Sequence, residues 1–556
     1  MNGFRNIITS TKIDMKLKEN SDYNKLHGIY YTPKEMASSL VEQFLVHRKY
    51  NNILEPSCGE GIFIDELINH NVVFNNICAV EIESEPIKKI NRKYSNDERF
   101  NVSCVDFFDF YKNHKNKKYD LVLGNPPYIR YQYLTPHQRK DLSDILSLQG
   151  MKPNKLINAW VAFTVACSSM INEDGILAFV VPAEILQVVY AKELRFFLSK
   201  VFNEINIVAF DQLTFKEIDQ EVVLLVCCKS KEKKGLRIVQ VKDVSELKKA
   251  NLNDYPFQKL GNDTDKWTKY FNKNDDVALI ENIKNNKNFQ KLSDVALINV
   301  GITTGNNGYF SINKDINEKY RLQDFCIPLL GKSCQIKSLF FTRKDLENNY
   351  QKGKKSYLLV IDAQDRKYLP KNVIDYIEYG EHTGANIGYK CSIRDYWYSI
   401  PSVWIPDAFF SRRNNECAKL VLNKCGAVST DTMHRLKFLN NTKPEQIILS
   451  YYNSVSFAFA EISGRSYGGG VLEILPSEVG NIYIPIVSKM SEQDIKNALK
   501  KIDDMLRKNA PLSAILDFGD KILLQEEVGM SEEECKTFRK MWIKLKNRRL
   551  GRSKKL

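Results

Sequence analysis

The sequence lacks the features that define several large classes of protein. None of its apolar runs approaches the roughly 18 residues that a membrane-spanning helix needs, and residues 1–12 contain no long apolar stretch of the kind found in secretory signals. The 12 cysteines include no Cys-x-x-Cys pair, so neither a zinc ribbon nor a thioredoxin-type site is indicated. We therefore expect a cytoplasmic protein with reduced thiols, no membrane association and no bound metal.

Acidic residues are in deficit, and this deficit points to a polyanionic partner. Over 556 residues, 81 lysines and arginines face 67 aspartates and glutamates, which gives a formal net charge of +14. Such an excess favours nucleic-acid binding, although a merely soluble basic protein has the same composition. Ten of the basic residues lie between Lys536 and Leu556 without a single acid, where they form either a solvated tail or a set of phosphate contacts.

Predicted helices and strands alternate from residue 34 to about residue 230. This βαβ alternation is typical of a sheet covered by helices on both faces. The clearest predicted helices are residues 34–47, 154–171 and 183–199, and the clearest strands are residues 175–181 and 222–226. From about residue 229 to residue 288 the chain becomes rich in lysine and asparagine, and we place a domain transition there. The length of the chain permits two or three domains.

A short turn after an apolar strand is the most informative motif. Asn125-Pro126-Pro127-Tyr128 follows the apolar run 120–124. The prolines fix φ and supply no N–H, so the turn is stiff and its carbonyls stay free to accept hydrogen bonds. An amide, a carbonyl and an aromatic ring then face one small pocket, which suits a planar amine. An ordinary strand-ending turn is the alternative.

A glycine loop upstream strengthens the functional interpretation. Residues 53–63 contain a short predicted strand, the loop Pro56-Ser57-Cys58-Gly59-Glu60-Gly61 and the start of a helix that ends near residue 69. Glycines in such a loop let the backbone approach a nucleotide-like ligand closely. The next predicted strand, residues 77–80, is followed by Glu81, at the position where doubly wound folds place the acid that binds ribose hydroxyls.

In this order, the motifs resemble those of the adenine-N6 DNA methyltransferases of restriction-modification systems, in the gamma-type arrangement with cofactor motifs first and the recognition region last. The resemblance covers about residues 28–230 and includes two further segments, 28–33 and 104–108. It implies an α/β fold, in which a Rossmann-like S-adenosylmethionine-dependent methyltransferase domain precedes a C-terminal mixed α/β DNA target-recognition domain. The loop departs from the commonest family form, because Pro56-Ser57-Cys58 replaces a run richer in glycine or alanine.

The resemblance also implies roles for individual residues. For S-adenosylmethionine it implies contacts from Tyr31, from Thr32 at the methionine carboxylate, from Glu55, Cys58, Gly59 and Gly61 in the loop, from Glu81 at the ribose, from Asp106 and Phe107 at the adenine, and from Asn125. For catalysis it implies Asn125, Pro126, Tyr128 and Phe215, the last in a loop before the strand 221–226. The alternatives are a helix cap for Glu81, a turn residue for Asp106 and a core residue for Phe215.

These residue types suit methyl transfer to a weakly nucleophilic amine. The lone pair of an adenine amino group is delocalised into the ring, so the amine must be pulled toward tetrahedral geometry. Acceptance of one amine hydrogen by the Asn125 side chain and of the other by the Pro126 carbonyl would keep electron density on nitrogen, which is electrostatic preorganisation. The target base must also leave the duplex, and Tyr128 and Phe215 would replace its lost stacking.

The region after residue 300 carries glycine-aromatic patches interleaved with arginines, a combination that suits base reading and stacking. The candidates for DNA contacts are Arg394, Arg412, Arg413, Arg435 and Arg465. Taken alone, each is better explained as an ordinary surface residue, whereas the region as a whole favours DNA recognition. We expect four segments: a polar N-terminal arm (1–27), a methyltransferase catalytic domain (28–250), a target-recognition domain (251–490) and a helical segment with a basic tail (491–556).

Several other activities fit the same residues. Methyltransferases of protein glutamine share the Asn-Pro-Pro-Tyr motif but need no long basic C-terminal region, and methylation of adenine in RNA is a third option. N4-cytosine transfer usually has serine or aspartate in place of Asn125, while cytosine-C5 transfer is disfavoured because no Pro-Cys pair occurs. A non-catalytic DNA-binding subunit is the alternative from another class. The expected partner is double-stranded DNA bound by a monomer, and a separate cognate restriction endonuclease is a further candidate.

Overall fold

The computed structural model describes residues 31–154, 156–212, 221–260, 266–439, 442–466 and 469–551. The chain divides into two compact units, Met1–Phe271 and Asn272–Leu556. The division therefore follows Phe271, whereas the predicted boundary follows residue 250, and the predicted segment from residue 491 belongs to the second unit. The predicted arm, residues 1–27, lies outside the described residues, and the roles assigned to the segments remain predictions. Within the described part of the chain, no helix is long and apolar enough to cross a membrane.

An eight-stranded sheet forms the centre of the first unit. Neighbouring strands run parallel from β3 through β5, β7 is antiparallel to both β5 and β6, and β8 is parallel to β6, in the order β3-β2-β1-β4-β5-β7-β6-β8. The strands are β1 (Lys49–Glu55), β2 (Val73–Glu81), β3 (Phe100–Cys104), β4 (Tyr119–Gly124), β5 (Ile171–Pro182), β6 (Glu204–Phe210), β7 (Val222–Cys228) and β8 (Gly235–Val241). The predicted Rossmann-like sheet is confirmed, while the antiparallel direction of β7 has no signal in the hydrophobic pattern.

Eight helices in the described part of the first unit connect or flank these strands. They are α1 (Lys34–Phe44), α2 (Ile62–Asn69), α3 (Ser84–Lys93), α4 (Phe107–His114), α5 (Pro136–Leu148), α6 (Ala159–Ser169), α7 (Lys192–Val201) and α8 (Val244–Lys249). The predicted helix 154–171 begins only at Ala159, and the predicted helix 183–199 is divided into a 3₁₀ turn, Ala183–Leu186, and α7. Hydrophobic periodicity does not register the local contacts that end a helix, so the predicted bounds were wrong there.

Continuous apolar runs supply the core of the first unit. All seven residues of β7 are buried, and so is β5 from Gly175 to its end. Helix α6 is buried along nearly its whole length. Strands covered on both faces need apolar residues at every position, and each buried large aliphatic side chain contributes about 1.5–3 kcal/mol. The sheet is therefore a rigid support for the polar residues that follow its strands.

Short strands and small sheets characterise the second unit. Its strands are β9 (Phe289–Lys291), β10 (Ala296–Val300), β11 (Ser311–Ile312), β12 (Cys326–Leu330), β13 (Phe340–Phe341), β14 (Tyr357–Leu359), β15 (Ala408–Ser411), β16 (Arg413–Asn414), β17 (Leu420–Asn423), β18 (Val428–Ser429), β19 (Met433–Phe438), β20 (Arg465–Ser466), β21 (Leu472–Glu473) and β22 (Tyr483–Pro485). Among the described residues they form sheets of five, four, three and two strands. The predicted change from βαβ alternation to another mixed α/β arrangement is thus confirmed.

Helices enclose these small sheets within the second unit. They are α9 (Asn274–Asn285), α10 (Leu292–Val295), α11 (Asn307–Phe310), α12 (Lys314–Tyr320), α13 (Arg343–Gln351), α14 (Lys371–His382), α15 (Tyr389–Ser392), α16 (Pro444–Tyr451), α17 (Ser454–Ser463), α18 (Pro476–Gly480), α19 (Glu492–Arg507), α20 (Leu512–Gly519) and α21 (Glu532–Gly551), with a π-helical stretch at Asp520–Val528. Helices α19, α20 and α21 lie within residues 491–556, the segment that the sequence predicts to be helical.

The basic C-terminal stretch is a packed helix over most of its length. Helix α21 buries one face against α17, where the rings of Phe457 and Trp542 lie 5.5 Å apart. Arg539 pairs with Asp520 at 2.7 Å. The fully buried Arg549 donates to the Glu461 carboxylate at 2.8 and 2.9 Å. At least these two arginines serve the fold, which corrects the expectation of a solvated tail or a continuous phosphate-binding stretch.

Candidate active site

The predicted cofactor and catalytic residues of the first unit follow the carboxyl ends of adjacent parallel strands. Glu55 ends β1, Glu81 ends β2 and Asn125 follows β4. In the sheet β1 lies between β2 and β4, with Glu55 opposite Ala79. The strand order reverses between β1 and β4, and open α/β sheets bind ligands at such a switch point.

Hydrogen bonds to β2 hold the glycine loop in place. The Gly59 N–H donates to the Glu81 carboxylate at 2.9 Å, and the Cys58 N–H donates to the Val80 carbonyl at 2.9 Å. Gly59 and Gly61 have φ angles of +51° and +83°, a region that glycine occupies without a Cβ penalty. Gly61 is also the N-cap of α2, so the positive end of that helix dipole adjoins the loop.

Glu81 anchors the loop, a role that its position in the sequence does not reveal. One carboxylate oxygen accepts the N–H groups of Ile82 and Glu83 at 2.8 and 3.0 Å, and the other accepts the N–H of Gly59. A carboxylate has about four lone-pair positions. Roughly one position is therefore left for a ligand, which is sufficient for one hydroxyl group of a ribose.

Glu55 and Thr32 carry buried oxygens without a hydrogen-bond partner among the described residues. Leaving such a group unpaired costs about 1–3 kcal/mol, and a ligand with N–H or O–H donors would remove this cost. Burial raises the pKa of the Glu55 carboxyl well above its ordinary value, and the nearby Glu81 and Asp65 raise it further. A cation bound beside Glu55 would favour the ionised carboxylate and be stabilised by it.

Tyr31 and Cys58 border the same loop. A side chain added at Gly59 would approach Cε1 of Tyr31 to 3.7 Å, so the exposed ring of Tyr31 lies over the loop backbone. Desolvation raises the pKa of the Tyr31 hydroxyl, as do Glu60 and Glu81. Burial raises the pKa of the Cys58 thiol even more. The thiol therefore stays protonated, and a nucleophilic role for Cys58 is not supported.

The Asn-Pro-Pro-Tyr turn is held by both the glycine loop and the sheet. Ser57 Oγ donates to the Asn125 carbonyl at 3.1 Å, and the Tyr128 hydroxyl donates to the Val180 carbonyl at 3.2 Å. Pro126 and Tyr128 are buried, and Asn125 is half-buried. The phenol end of Tyr128 is thus fixed on β5, which limits the motion of its ring.

Asn158 is a second asparagine at this turn, and the sequence analysis missed it. Its Nδ2 donates to the Tyr128 carbonyl at 3.3 Å, and the adjacent Ala159 N–H donates to the Ile129 carbonyl at 2.8 Å. Asn158 immediately precedes α6, where asparagine usually caps the helix. Its side chain makes no capping hydrogen bond, so the local signal predicts the wrong role and only the tertiary contact shows that Asn158 holds the turn.

Asp106 and Phe107 follow β3 and are both held by the protein itself. The Asp106 carboxylate caps α4 by accepting a backbone N–H at 2.7 Å, and it also accepts from Nε2 of Gln138 at 2.8 Å. The buried ring of Phe107 stacks on Phe163 with 4.4 Å between centroids. Any contact with the adenine of the cofactor would therefore have to use acceptor positions of Asp106 and parts of the Phe107 ring that these protein contacts leave unoccupied. Phe215, the predicted second stacking residue, lies outside the described residues.

A group of potential metal ligands lies near α4 and α5. Asp109, His137 and Asp141 present ligand atoms within 4.8 Å of one another. The Lys112 ammonium is 3.3 Å from Asp109 and 2.8 Å from Asp141. Because this lysine already supplies positive charge to both carboxylates, the group is explained as an ion-pair network.

Two of the five arginines predicted to contact DNA are held by backbone carbonyls. The buried Arg435 donates to the Val300 carbonyl at 3.0 Å, and its guanidinium lies 4.4 Å from the Trp404 ring centroid. Arg394 is half-buried and donates to the Thr303 carbonyl at 3.1 Å. These contacts serve the local fold, and DNA contacts by the same side chains remain predictions.

The other three arginines pair with buried acids to different extents. Arg412 donates to Glu473 at 2.9 Å, and Arg465 donates to Glu478 at 2.8 Å. Arg413 lies 3.3 Å from Glu473, but its side chain is 70% exposed. Of the five, Arg413 is therefore the best placed to meet an external phosphate or base without a change in the fold.

Two family models match the chain over most of its length. The model described as "Eco57I restriction-modification methylase" matches residues 24–216. The model described as "Type II methyltransferase M.Eco57I, C-terminal domain" matches residues 264–524. The matched stretches correspond closely to the two compact units and leave only the region around their boundary and the chain ends unmatched.

Individual relatives agree with these models. The chain is 22% identical to the type II methyltransferase M.AccI of Acinetobacter calcoaceticus over 530 residues, which cover 90% of this chain and 94% of that protein. It is 26% identical to the type II methyltransferase M.HincII of Haemophilus influenzae over 226 residues, 40% of this chain and 42% of that one. A solved DrdV–DNA complex aligns over 87% of this chain and 58% of its own at 13% identity and a TM-score of 0.48, too distant to support an inference.

Proposed function

Because the chain belongs to the family of restriction-modification DNA methyltransferases, we propose that it transfers a methyl group from S-adenosylmethionine to N6 of an adenine flipped out of duplex DNA. The observation that carries this proposal is the junction of the Asn-Pro-Pro-Tyr turn with the glycine loop, through the hydrogen bond from Ser57 to the Asn125 carbonyl. This contact brings an amine-accepting turn and a nucleotide-type loop to one edge of the sheet.

The residues of the glycine loop fit S-adenosylmethionine as the donor. When bound, this cofactor supplies an electrophilic methyl group on a positively charged sulfur. Glu55 and Thr32 offer buried oxygens that lack partners among the described residues, and Glu81 retains an acceptor position. Glu81 and Glu60 act on Tyr31, but Glu60 is paired with Lys89. A cationic ligand would therefore be stabilised mainly by Glu81, and by Glu55 once the positive charge favours its ionised form.

Asn125 and Pro126 are the proposed acceptors of the target amine. In the proposed arrangement the Asn125 side-chain oxygen accepts one N6 hydrogen and the Pro126 carbonyl accepts the other, which localises the lone pair on nitrogen. Such preorganised acceptors are worth about 2.7–4 kcal/mol each in a dry site. No strong base is required, because the methylated nitrogen becomes acidic and loses its proton to an oxygen of this turn or to water.

Tyr128 is the proposed stacking surface for the flipped base. A base that leaves the duplex loses stacking worth a few kcal/mol, and an aromatic ring in the pocket compensates for it. The hydrogen bond from Tyr128 to Val180 holds the ring in one position, so little side-chain entropy is lost when a base packs on it. Phe215 is proposed for the opposite face on the basis of the family resemblance.

The second unit is the proposed target-recognition region. The C-terminal domain model matches it, and its size distinguishes the proposal from methylation of protein glutamine. Methylation of adenine in RNA, N4-methylation of cytosine, and a non-catalytic DNA-binding role are the competing possibilities. We propose that the protein acts as a monomer, with a separate endonuclease as the partner expected of a type II modification enzyme.

Long-read sequencing of DNA from cells that express the protein is the decisive experiment. We expect N6-methyladenine at one recurring sequence, and no such signal with the Asn125→Ala variant as the matched control. Detection of methylated cytosine in place of N6-methyladenine would show that the target base is cytosine. Normal binding of S-adenosylmethionine with no methylation of DNA, RNA or protein would instead support the non-catalytic alternative.

A further inference from the structure

One stretch of the second unit exposes apolar side chains to an unusual degree. Ile387, Tyr389 and Ile393 are 76%, 73% and 59% exposed, and all three lie within seven residues. A cluster of large apolar side chains that stays in water is typical of an interaction site. We refer to residues 387–394, together with residues 303–308, which pack against them, as the two-segment surface.

Residues 303–308, which include the start of α11, pack directly against this stretch. Arg394 donates to the Thr303 carbonyl at 3.1 Å, and Cys391 Sγ donates to the Thr304 carbonyl at 3.9 Å. A Cβ on Gly305, whose φ is +88°, would lie 2.7 Å from Cys391 Sγ. Glycine at this position therefore permits the close contact, and the two segments form a continuous surface.

The charge of the two-segment surface favours an anionic partner. Residues 303–308 and 387–394 contain no acid and carry Lys390 and Arg394. Two acids adjoin them: the exposed Asp395 follows Arg394, and Asp431 accepts from Asn307 Nδ2 at 2.9 Å. The Lys390 ammonium lies 5.8 Å from the ring centroid of Tyr389, so cation and aromatic ring are presented together. A duplex carries phosphates beside its bases, so it would meet both the cations and the apolar side chains of this surface.

Apolar side chains flanked by cations match the chemistry of a deformed duplex. Proteins that unstack or bend DNA insert isoleucine, leucine or aromatic side chains between bases or against thymine methyl groups. Exposed aromatic rings also stack on unpaired bases with little dependence on sequence. An enzyme that extrudes a base needs such contacts, because the strand left behind loses stacking.

We propose that the two-segment surface enters the target duplex, with Ile387, Tyr389 and Ile393 against bases and Lys390 and Arg394 at phosphates. This inference rests on the proposed function, since it takes DNA as the substrate. It also extends the function, because none of the three apolar residues belongs to the predicted catalytic, cofactor-binding or arginine sets.

Equilibrium binding of a fluorescein-labelled random-sequence duplex to the full-length protein tests the proposal. We expect Tyr389→Ala to weaken binding by about tenfold, on the scale of one lost base stack, and the double variant I387S/I393S to weaken it similarly. The matched control is Tyr368→Ala, because Tyr368 is also exposed, at 68%, and also has a lysine, Lys367, near its ring. Its effect should stay within about twofold, as for an ordinary surface change.

Two further measurements separate the proposal from its alternatives. Thermal unfolding and S-adenosylmethionine affinity should be unchanged in all three variants, since the altered side chains are exposed and lie in the second unit. Wild-type binding that persists unchanged in Tyr389→Ala would overturn the inference and leave the proposed function intact. A changed oligomeric state with unchanged DNA binding would overturn it in favour of a second copy of the chain, and a wild-type protein that binds no duplex would overturn both proposals.

Discussion

Two candidate site residues of the first unit and two buried arginines of the second unit use their polar atoms in opposite ways. In the first unit, Glu55 and Thr32 are buried with oxygens that have no partner among the described residues. In the second unit, Arg435 and Arg549 are buried and fully engaged with acceptors of the same unit. A buried polar group left unpaired costs free energy that a ligand can recover, whereas a paired one already contributes to the fold. For these four residues, the state of pairing separates the candidate ligand contacts from the structural ones.

Loss of the Arg549 guanidinium should have the largest effect, and it should be on stability. Arg549→Ala leaves Glu461 buried without its cation, which costs about 3–5 kcal/mol. Urea unfolding should show this loss, while Lys540→Ala on the exposed face of the same helix should unfold like the wild type. A stable Arg549→Ala protein with weakened DNA binding would restore the phosphate-contact interpretation of the tail.

Asn125→Ala should produce the next largest effect, and it should be on turnover. Removal of one preorganised acceptor is worth roughly 3 kcal/mol, so kcat should fall at least a hundredfold. The affinity for S-adenosylmethionine should stay nearly unchanged, because the lost acceptor faces the target amine. Asn75→Ala, at an exposed asparagine of β2, is the matched control. Near-native methylation by Asn125→Ala would show that the Asn125 side chain is not the acceptor of the target amine.

Glu81→Ala should weaken cofactor binding by a smaller amount. One charge-assisted hydrogen bond to the ligand is worth about 1.5–3 kcal/mol, and loss of the anchor at Gly59 adds to this. Calorimetry should therefore show reduced affinity, and Glu81→Gln should retain part of it because the amide oxygen can still accept. Glu83→Ala serves as the control. Unchanged affinity in Glu81→Ala would assign this residue to structure alone.

Arg413→Ala should have the smallest of these effects and should leave stability unchanged. Its exposed guanidinium makes one long contact to Glu473, so little of the fold depends on it. If it neutralises one phosphate, the slope of log affinity against log salt should become shallower by about 0.9. An unchanged slope together with reduced stability would move Arg413 into the structural group with Arg412.

Much of the first unit was predictable because its chemistry is local. The strands that end at Glu55, Glu81 and Gly124 contain apolar runs followed by turn residues, and adjacent parallel strands have their carboxyl ends at the same edge of the sheet. The βαβ alternation and the family resemblance that these motifs carry were therefore sufficient to predict the Rossmann-like fold, while the roles of the site residues remain predictions. The predicted helix bounds were less accurate, because tertiary contacts such as that of Asn158 decide where α6 begins.

The sequence by itself determined which residue types reach the sheet edge, since strand periodicity and turn chemistry act over a few neighbouring positions. Only the tertiary structure decided which polar atoms find partners. The anchoring of Gly59 by Glu81, the clamp from Asn158 to the Tyr128 carbonyl and the burial of Arg549 against Glu461 each join residues more than 20 positions apart. No local pattern encodes such pairs, because their energy depends on burial and geometry that exist only after the chain has folded.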